Sequence, residues 1–303
     1  MKKQSHDFLI LLIFFCFFVV PFSFAQNAKK TNPTHADFAY GWHPQQVFDI
    51  WVADADTPTP LVIYIHGGGF RGGSKDGISA KVLRQYLDAG ISVASVEYRF
   101  VQHAKLPAAH EDCRRAIQTL RAHAKKWNLD SCRFGAFGGS AGAQLCMWLG
   151  FHDDMADPAS DDPIARQSTR LCCLATRGGQ ATMDLEWWKQ WIPGYDQPHR
   201  QVTDSFGEVT GERLAGIVAD ISALHLISPD DPPIFMHYNM KPDAPIPTDE
   251  RKARGWKVHH VMFGIQLKRE LDKAGVEAVL HYPGMDIPYK SQEDFLLKKL
   301  LKE

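Results

Sequence analysis

Ser140 is the residue best placed to do covalent chemistry. It lies in Gly138-Gly139-Ser140-Ala141-Gly142, between a strand-like run at 132–137 and a helical pattern that opens at Ala141. A serine on a sharp strand-to-helix turn has an exposed hydroxyl and a strained backbone, and glycines two residues to either side give the turn room. The following helix aims its free N–H groups and positive dipole end at negative charge developing beside the serine. A second motif, His66-Gly67-Gly68-Gly69-Phe70, follows directly on an apolar run at 61–65. Glycine amides there can approach a substrate carbonyl, so Gly68 and Gly69 join the N–H of Ala141 as the expected oxyanion hole. Losing one such donor typically costs about 3 kcal/mol, or ~100-fold in rate. The chemistry these types and spacings suit is attack of a serine oxygen on a carbonyl carbon.

Positioning such groups takes a rigid scaffold, and the chain alternates strand and helix patterns from Val47 onward. Strand runs are expected at 47–52, 61–66, 91–96, 132–137, 171–175, 234–238 and 278–282. Helical spacing appears at 78–89, after Pro107, from Ala141, through Phe263, Leu267, Leu271 and Ala274, and at 292–301. Gly90 and Gly275 stand where left-handed helix stops are expected. This rhythm predicts an α/β fold, a mostly parallel sheet with helices on both faces. Two stretches interrupt it. Residues 151–169 are rich in Asp, Pro and Ser and read as a surface excursion. Residues 184–222 carry Trp187, Trp188, Trp191 and Tyr195 among glycines and prolines, and read as an insertion over the carboxyl ends of the strands, where ligands bind in such folds.

The pairing of His-Gly-Gly-Gly-Phe with Gly-Gly-Ser-Ala-Gly resembles the α/β-hydrolase superfamily, and within it the hormone-sensitive-lipase-like and feruloyl/acetyl-xylan-type (BD-FAE-like) carboxylesterases. Val96-Glu97-Tyr98-Arg99, Leu106-Pro107-Ala108 leading to Asp112, and Trp127-Asn128-Leu129-Asp130 with Arg133 extend the resemblance, which is close over residues 40–150 and looser beyond. It implies the α/β-hydrolase fold with eight strands, a Ser–His–Asp triad, no cofactor, and hydrolysis of small acyl esters.

The triad partners depart from the family pattern. The family's acid follows the penultimate strand, and here the first carboxylate downstream is Asp243, in Pro242-Asp243-Ala244-Pro245; Asp230 and Asp231 precede that strand, at its wrong end. The family's histidine follows the last strand, and residues 282–289 contain none. His281 is on the strand itself. His259 and His260 are expected at the start of the helix after the acid loop, on the face that Ser140 shares, and His259 is taken as the base. Two readings follow. In the first, the chain is a serine carboxylesterase acting on small-molecule or polysaccharide esters. In the second, it is a pseudo-esterase that binds an acylated or sugar ligand, with contacts from Trp187, Trp188 or Trp191. A prolyl-oligopeptidase-like peptidase is more distant, since nothing resembles its propeller domain.

Composition narrows the classes further. The 303 residues are 45% hydrophobic and 23% charged with a net charge of −1, enough apolar material for a sizeable core and no electrostatic footprint for nucleic acid. Lys2 and Lys3 precede an unbroken apolar run at 8–20, and Ser23-Phe24-Ala25 supplies small residues for a signal peptidase. This layout predicts a signal peptide at 1–25 and a secreted or periplasmic hydrolase domain at 26–303. The apolar run is shorter than the ~20 residues a spanning helix needs, so no stable membrane anchor is expected. Five cysteines remain beyond that segment, Cys113, Cys132, Cys146, Cys172 and Cys173, without the paired spacing of a metal site.

Overall fold

The computed structural model describes residues 31–302, and the expected signal peptide lies outside the described residues. Eight strands form one sheet: β1 (His35–Ala39), β2 (Val47–Trp51), β3 (Thr59–Ile65), β4 (Ser92–Val96), β5 (Leu129–Gly139), β6 (Cys173–Arg177), β7 (Ile234–His237) and β8 (Ala278–His281). Their order across the sheet is β1-β2-β4-β3-β5-β6-β7-β8, antiparallel for the first two pairings and parallel for the rest. This is the α/β-hydrolase fold. β1 is the strand the sequence pattern did not yield. It is a five-residue antiparallel edge strand with its register shifted between His35 and Phe38, too short and polar to show a period.

Strands β3, β4 and β5 read as apolar runs because they are covered on both faces. One face packs on α2 (Ala108–Ala122), α3 (Ala141–Phe151) and α8 (Met262–Ala274), with Ile63, Ile65, Ala94, Ala136 and Leu174 among the buried strand residues. The other packs on α1 (Ala80–Asp88) and α9 (Gln292–Leu301) through Val62, Val93, Phe137, Phe295 and Leu300. α3, directly under the serine, is buried along its whole length. The chain between β6 and β7 holds three short helices, α4 (Leu185–Trp191), α5 (Val202–Phe206) and α6 (Gly211–Asp220), where the pattern showed only an aromatic insertion. α7 (Glu250–Val258) follows β7 and buries only Trp256. No described helix is long and apolar enough to cross a membrane, and the five cysteines are free thiols, with Cys113, Cys146 and Cys173 buried.

The strand-end motifs turn out to be internal braces. The Asp112 carboxylate, fully buried, receives the Arg99 guanidinium at 2.7 Å and the Gln46 amide at 2.7 Å. Glu97 accepts from the amide of Lys75 at 3.1 Å and meets His66 Nε2 at 2.9 Å, while Tyr98 donates to the His66 carbonyl at 2.8 Å. His66 therefore enters the glycine turn with its ring and backbone both held. Removing one partner of a buried ion pair strands the other charge and costs about 3 kcal/mol. Arg99→Met should lower the unfolding free energy by about that amount, read as a fall in the urea midpoint with the slope unchanged.

Candidate active site

Ser140 sits between β5 and α3 with φ 53° and ψ −120°, a left-handed conformation that a serine adopts only under constraint. Its amide donates to the Arg177 carbonyl of β6 at 2.9 Å, which fastens the turn to the sheet. The close approach explains the glycine at 142: a Cβ there would run into the carbonyl oxygens of Ile65 and His66. The β3 strand end and the start of α3 thus pack backbone to backbone, and the glycine turn at 67–69 is carried beside the serine. Gly68, at φ 118°, turns so tightly against Gly72 that no side chain fits. Gly68, Gly69, Ser140 and Ala141 all line one cavity of about 860 Å³.

His259 Nε2 is 2.9 Å from Ser140 Oγ. The other ring nitrogen, Nδ1, lies 2.8 Å from the Gly255 carbonyl oxygen. A carbonyl can only accept, so Nδ1 carries the proton and Nε2 presents its lone pair to the serine hydroxyl, which donates. Burial holds the His259 pKa below the ordinary imidazole value of 6.5, opposed by the bond to Gly255. The ring is therefore neutral at neutral pH and can take a proton.

His259 closes α7; it does not open the next helix, as the sequence reading had it. α7 escaped that reading because it is polar along most of its length and shows little apolar stripe. It is set by a local signal instead: the Asp249 side chain accepts from the Lys252 amide at its start. Its far end is fixed by Gln180, whose side-chain amide donates to the Gly178 carbonyl at 3.0 Å and the Val258 carbonyl at 2.7 Å. That amide ties the helix end to the loop after β6, and so to Ser140.

The other expected partners lie elsewhere. His260 is fully buried against Trp256, its ring centroid 4.3 Å from the indole, with burial pushing its pKa down to about 4. His281 faces His237, with the two Nδ1 atoms 2.8 Å apart. Asp243 is exposed in the proline-rich loop between β7 and α7, and no hydrogen bond joins it to His259. The position that the resemblance gives to a carboxylate is filled by the Gly255 carbonyl, in the last turn of α7. A helix C-terminus carries partial negative charge and favours a cation beside it, typically by 0.3–1 kcal/mol and up to ~2 kcal/mol when partly buried.

A family model, BD-FAE, matches residues 48–253. The chain belongs to the BD-FAE family. Among curated relatives, Esterase LipI of Mycobacterium tuberculosis is 34% identical over 86 residues, 28% of this chain and 27% of that protein. Esterase LipC of the same organism is 32% identical over 113 residues, 37% of this chain and 28% of that protein. The chain thus matches only about a quarter of the length of these relatives. An acetyl ester-xyloside bifunctional hydrolase from Caldicellulosiruptor lactoaceticus superposes with a TM-score of 0.61 at 25% identity, over 78% of this BD-FAE chain and 76% of that one. A truncated carbohydrate esterase from gut microbiota shares the fold with a TM-score of 0.67 at 22% identity, over 91% and 99% of the two chains.

The cavity at Ser140 is mainly apolar, with Met183 joined by Leu185, Trp188, Phe206, Leu214 and Val218 from the insertion. A smaller cavity of about 640 Å³ meets it at Ser140 and His259, and is lined also by Arg177, Asn239 and Lys252. A substrate reaching Ser140 thus has room on two sides of its reacting carbon. Arg251 and Arg254 of α7 also line the larger cavity; they, the Gly255 carbonyl and Gln180 carry no sequence motif, and only the Asp249 cap, which marks α7, draws attention to them.

If His259 activates Ser140, a fluorophosphonate should label Ser140, and His259→Ala should slow that labelling by about 100-fold or more, whereas His281→Ala should change it less than about threefold. The labelling rate should fall as pH drops through the lowered His259 pKa, giving an acid limb with its midpoint below 6.5. Mass spectrometry of the labelled chain across a pH series measures both.

Proposed function

We propose that this BD-FAE protein is a serine carboxylesterase that hydrolyses small acyl esters through an acyl-enzyme on Ser140. The observation that carries the reading is the 2.9 Å bond between Ser140 Oγ and a His259 ring whose tautomer the Gly255 carbonyl selects. Ser140 Oγ attacks the ester carbonyl carbon as its proton passes to His259 Nε2. The carbonyl oxygen takes the negative charge and is met by the amides of Gly68, Gly69 and Ala141. Collapse expels the alcohol, which leaves with the proton from His259, and the acyl group remains on Ser140. Water then attacks the acyl carbon, its proton going to His259, and the acid departs as that proton returns to Ser140. Asp243 has no part in this sequence; the C-terminal end of α7 faces the imidazolium instead.

Relatives named as esterases support the reaction class, and the acetyl ester-xyloside hydrolase supports acyl esters on carbohydrate as substrates. The charged start and apolar run at 1–25 support export to the periplasm or beyond. The binding-only reading drew its motive from the missing histidine after β8; the 2.9 Å bond between His259 and Ser140 supports the esterase reading over it. Ser140→Ala should reduce turnover of p-nitrophenyl acetate by about 1,000-fold or more. A purified chain that neither hydrolyses this ester nor labels with a fluorophosphonate would overturn the reading.

A further inference from the structure

The charges around the larger cavity do not balance. Arg200, Arg251 and Arg254 line it together with Ser140 and His259. The two carboxylates that also line it are already engaged: Asp184 caps α4 by accepting from the Glu186 amide at 2.9 Å, and Glu186 pairs with Lys189 at 2.8 Å. Asp204, on the insertion, pairs with Arg71 at 2.7 Å. None of the three arginines has an ion-pair partner among the described residues. Arg200 donates to the Gly69 carbonyl at 2.7 Å, its one hydrogen bond among the described residues.

The placement of these arginines relative to the dyad is regular. Arg251, Arg254, Gly255, Val258 and His259 all line the cavity, at the three- and four-residue intervals that put side chains on one face of a helix. At ~1.5 Å per residue, Arg254 starts about 7.5 Å and Arg251 about 12 Å back along α7 from His259. Arg200 approaches from the insertion on the side of the oxyanion turn. The cations also act on one another: burial, then Arg71 and Arg254, lower the Arg200 pKa. His199 lies flat on Trp188, 5.5 Å between ring centroids, and adds no charge at neutral pH. Burial pushes its pKa down to about 4, with Arg200, Arg254 and His259 adding to the effect. An anion entering this cavity would relieve repulsion at Arg200 that Asp204, itself paired with Arg71, only partly offsets.

From this we infer that Arg254 and Arg251 on α7, with Arg200 from the insertion, select esters that carry a carboxylate several bonds from the scissile carbonyl. A carboxylate presents two oxygens that match the guanidinium fork. The inference rests on the esterase reading for its ester and adds the chemical class of the rest of the substrate. The carboxylate belongs either to the acyl group, as in a half-ester of a dicarboxylic acid, or to the alcohol, as in an acetylated uronic acid.

Two substrate pairs separate these sources. One sets mono-p-nitrophenyl suberate against p-nitrophenyl octanoate, and the other sets O-acetyl glucuronic acid against O-acetyl glucose. In one pair the anionic ester should have the higher kcat/KM, by about tenfold, and the preference should shrink as salt is raised. Arg254→Gln keeps the length and helix propensity of the side chain, and should reduce that preference by about tenfold. A ratio near one in both pairs, or a ratio unmoved by Arg254→Gln and Arg200→Gln alike, overturns the inference while hydrolysis of the neutral esters leaves the esterase reading standing. If no ester is turned over, the esterase reading fails separately. The anion site is then read by calorimetry of suberate with the Ser140→Ala chain. Binding that Arg254→Gln abolishes supports the site, and absence of binding overturns it.

Discussion

Everything at this site depends on a serine held in a backbone conformation it would not choose. Ser140 at φ 53° is kept there by three contacts at once: its amide bonded to β6, the start of α3 pressed against the end of β3, and the glycine turn running alongside. A left-handed non-glycine residue costs of order 1–3 kcal/mol, and it persists only where the surroundings over-determine it. Those surroundings include the fully buried α3 and the buried carboxylate of Asp112, which braces the strand-end turn. The stability of the scaffold and the geometry of the site are thus one problem, since the packing that buries α3 also places Ser140 and Ala141 on the wall of the same cavity.

As the proposed base, His259 is held differently from the histidine of a Ser–His–Asp triad. A buried aspartate does two jobs there: it fixes the imidazole tautomer, and it stabilises the imidazolium. The Gly255 carbonyl does the first as well as a carboxylate would, because a carbonyl oxygen can only accept. For the second it offers the partial charge of a helix terminus, at most ~2 kcal/mol, or about 30-fold in rate. This leaves Ser140 and His259 as a pair whose proton is in the right place and whose cation has only a helix end beside it, while burial holds the His259 pKa down.

Legibility in the sequence followed the source of order. Strands β3, β4 and β5 and helices α3 and α8 bury continuous or periodic apolar surface, and composition alone marks them. Ser140, Gly68, Gly69 and Ala141 were legible because strained turns and close backbone approach demand particular residues at fixed spacing. His259 was named as one of several histidines, and only tertiary packing distinguishes it from His260 one position on, which points into the core. The group that holds His259 Nδ1 was not legible, since a backbone carbonyl has no residue type to read. Asp243 drew attention through position in a resemblance, and its loop stays at the surface.

α7 joins these strands of argument. Its sequence shows little apolar stripe because it buries one tryptophan and turns another face toward the cavity, with Arg251, Arg254, the Gly255 carbonyl and His259 along it. That is also why a hydrophobic-period reading passes over it. An element whose polar side is its working side must take its stability from its ends, and here the Asp249 cap at one end and the Gln180 amide at the other supply it. The same short helix thus sets the tautomer of His259, ends beside its ring, and carries Arg251 and Arg254 along the same cavity. A shift of α7 by even part of a turn would disturb all three together, so the two end contacts fix where His259 and the arginines stand in the cavity.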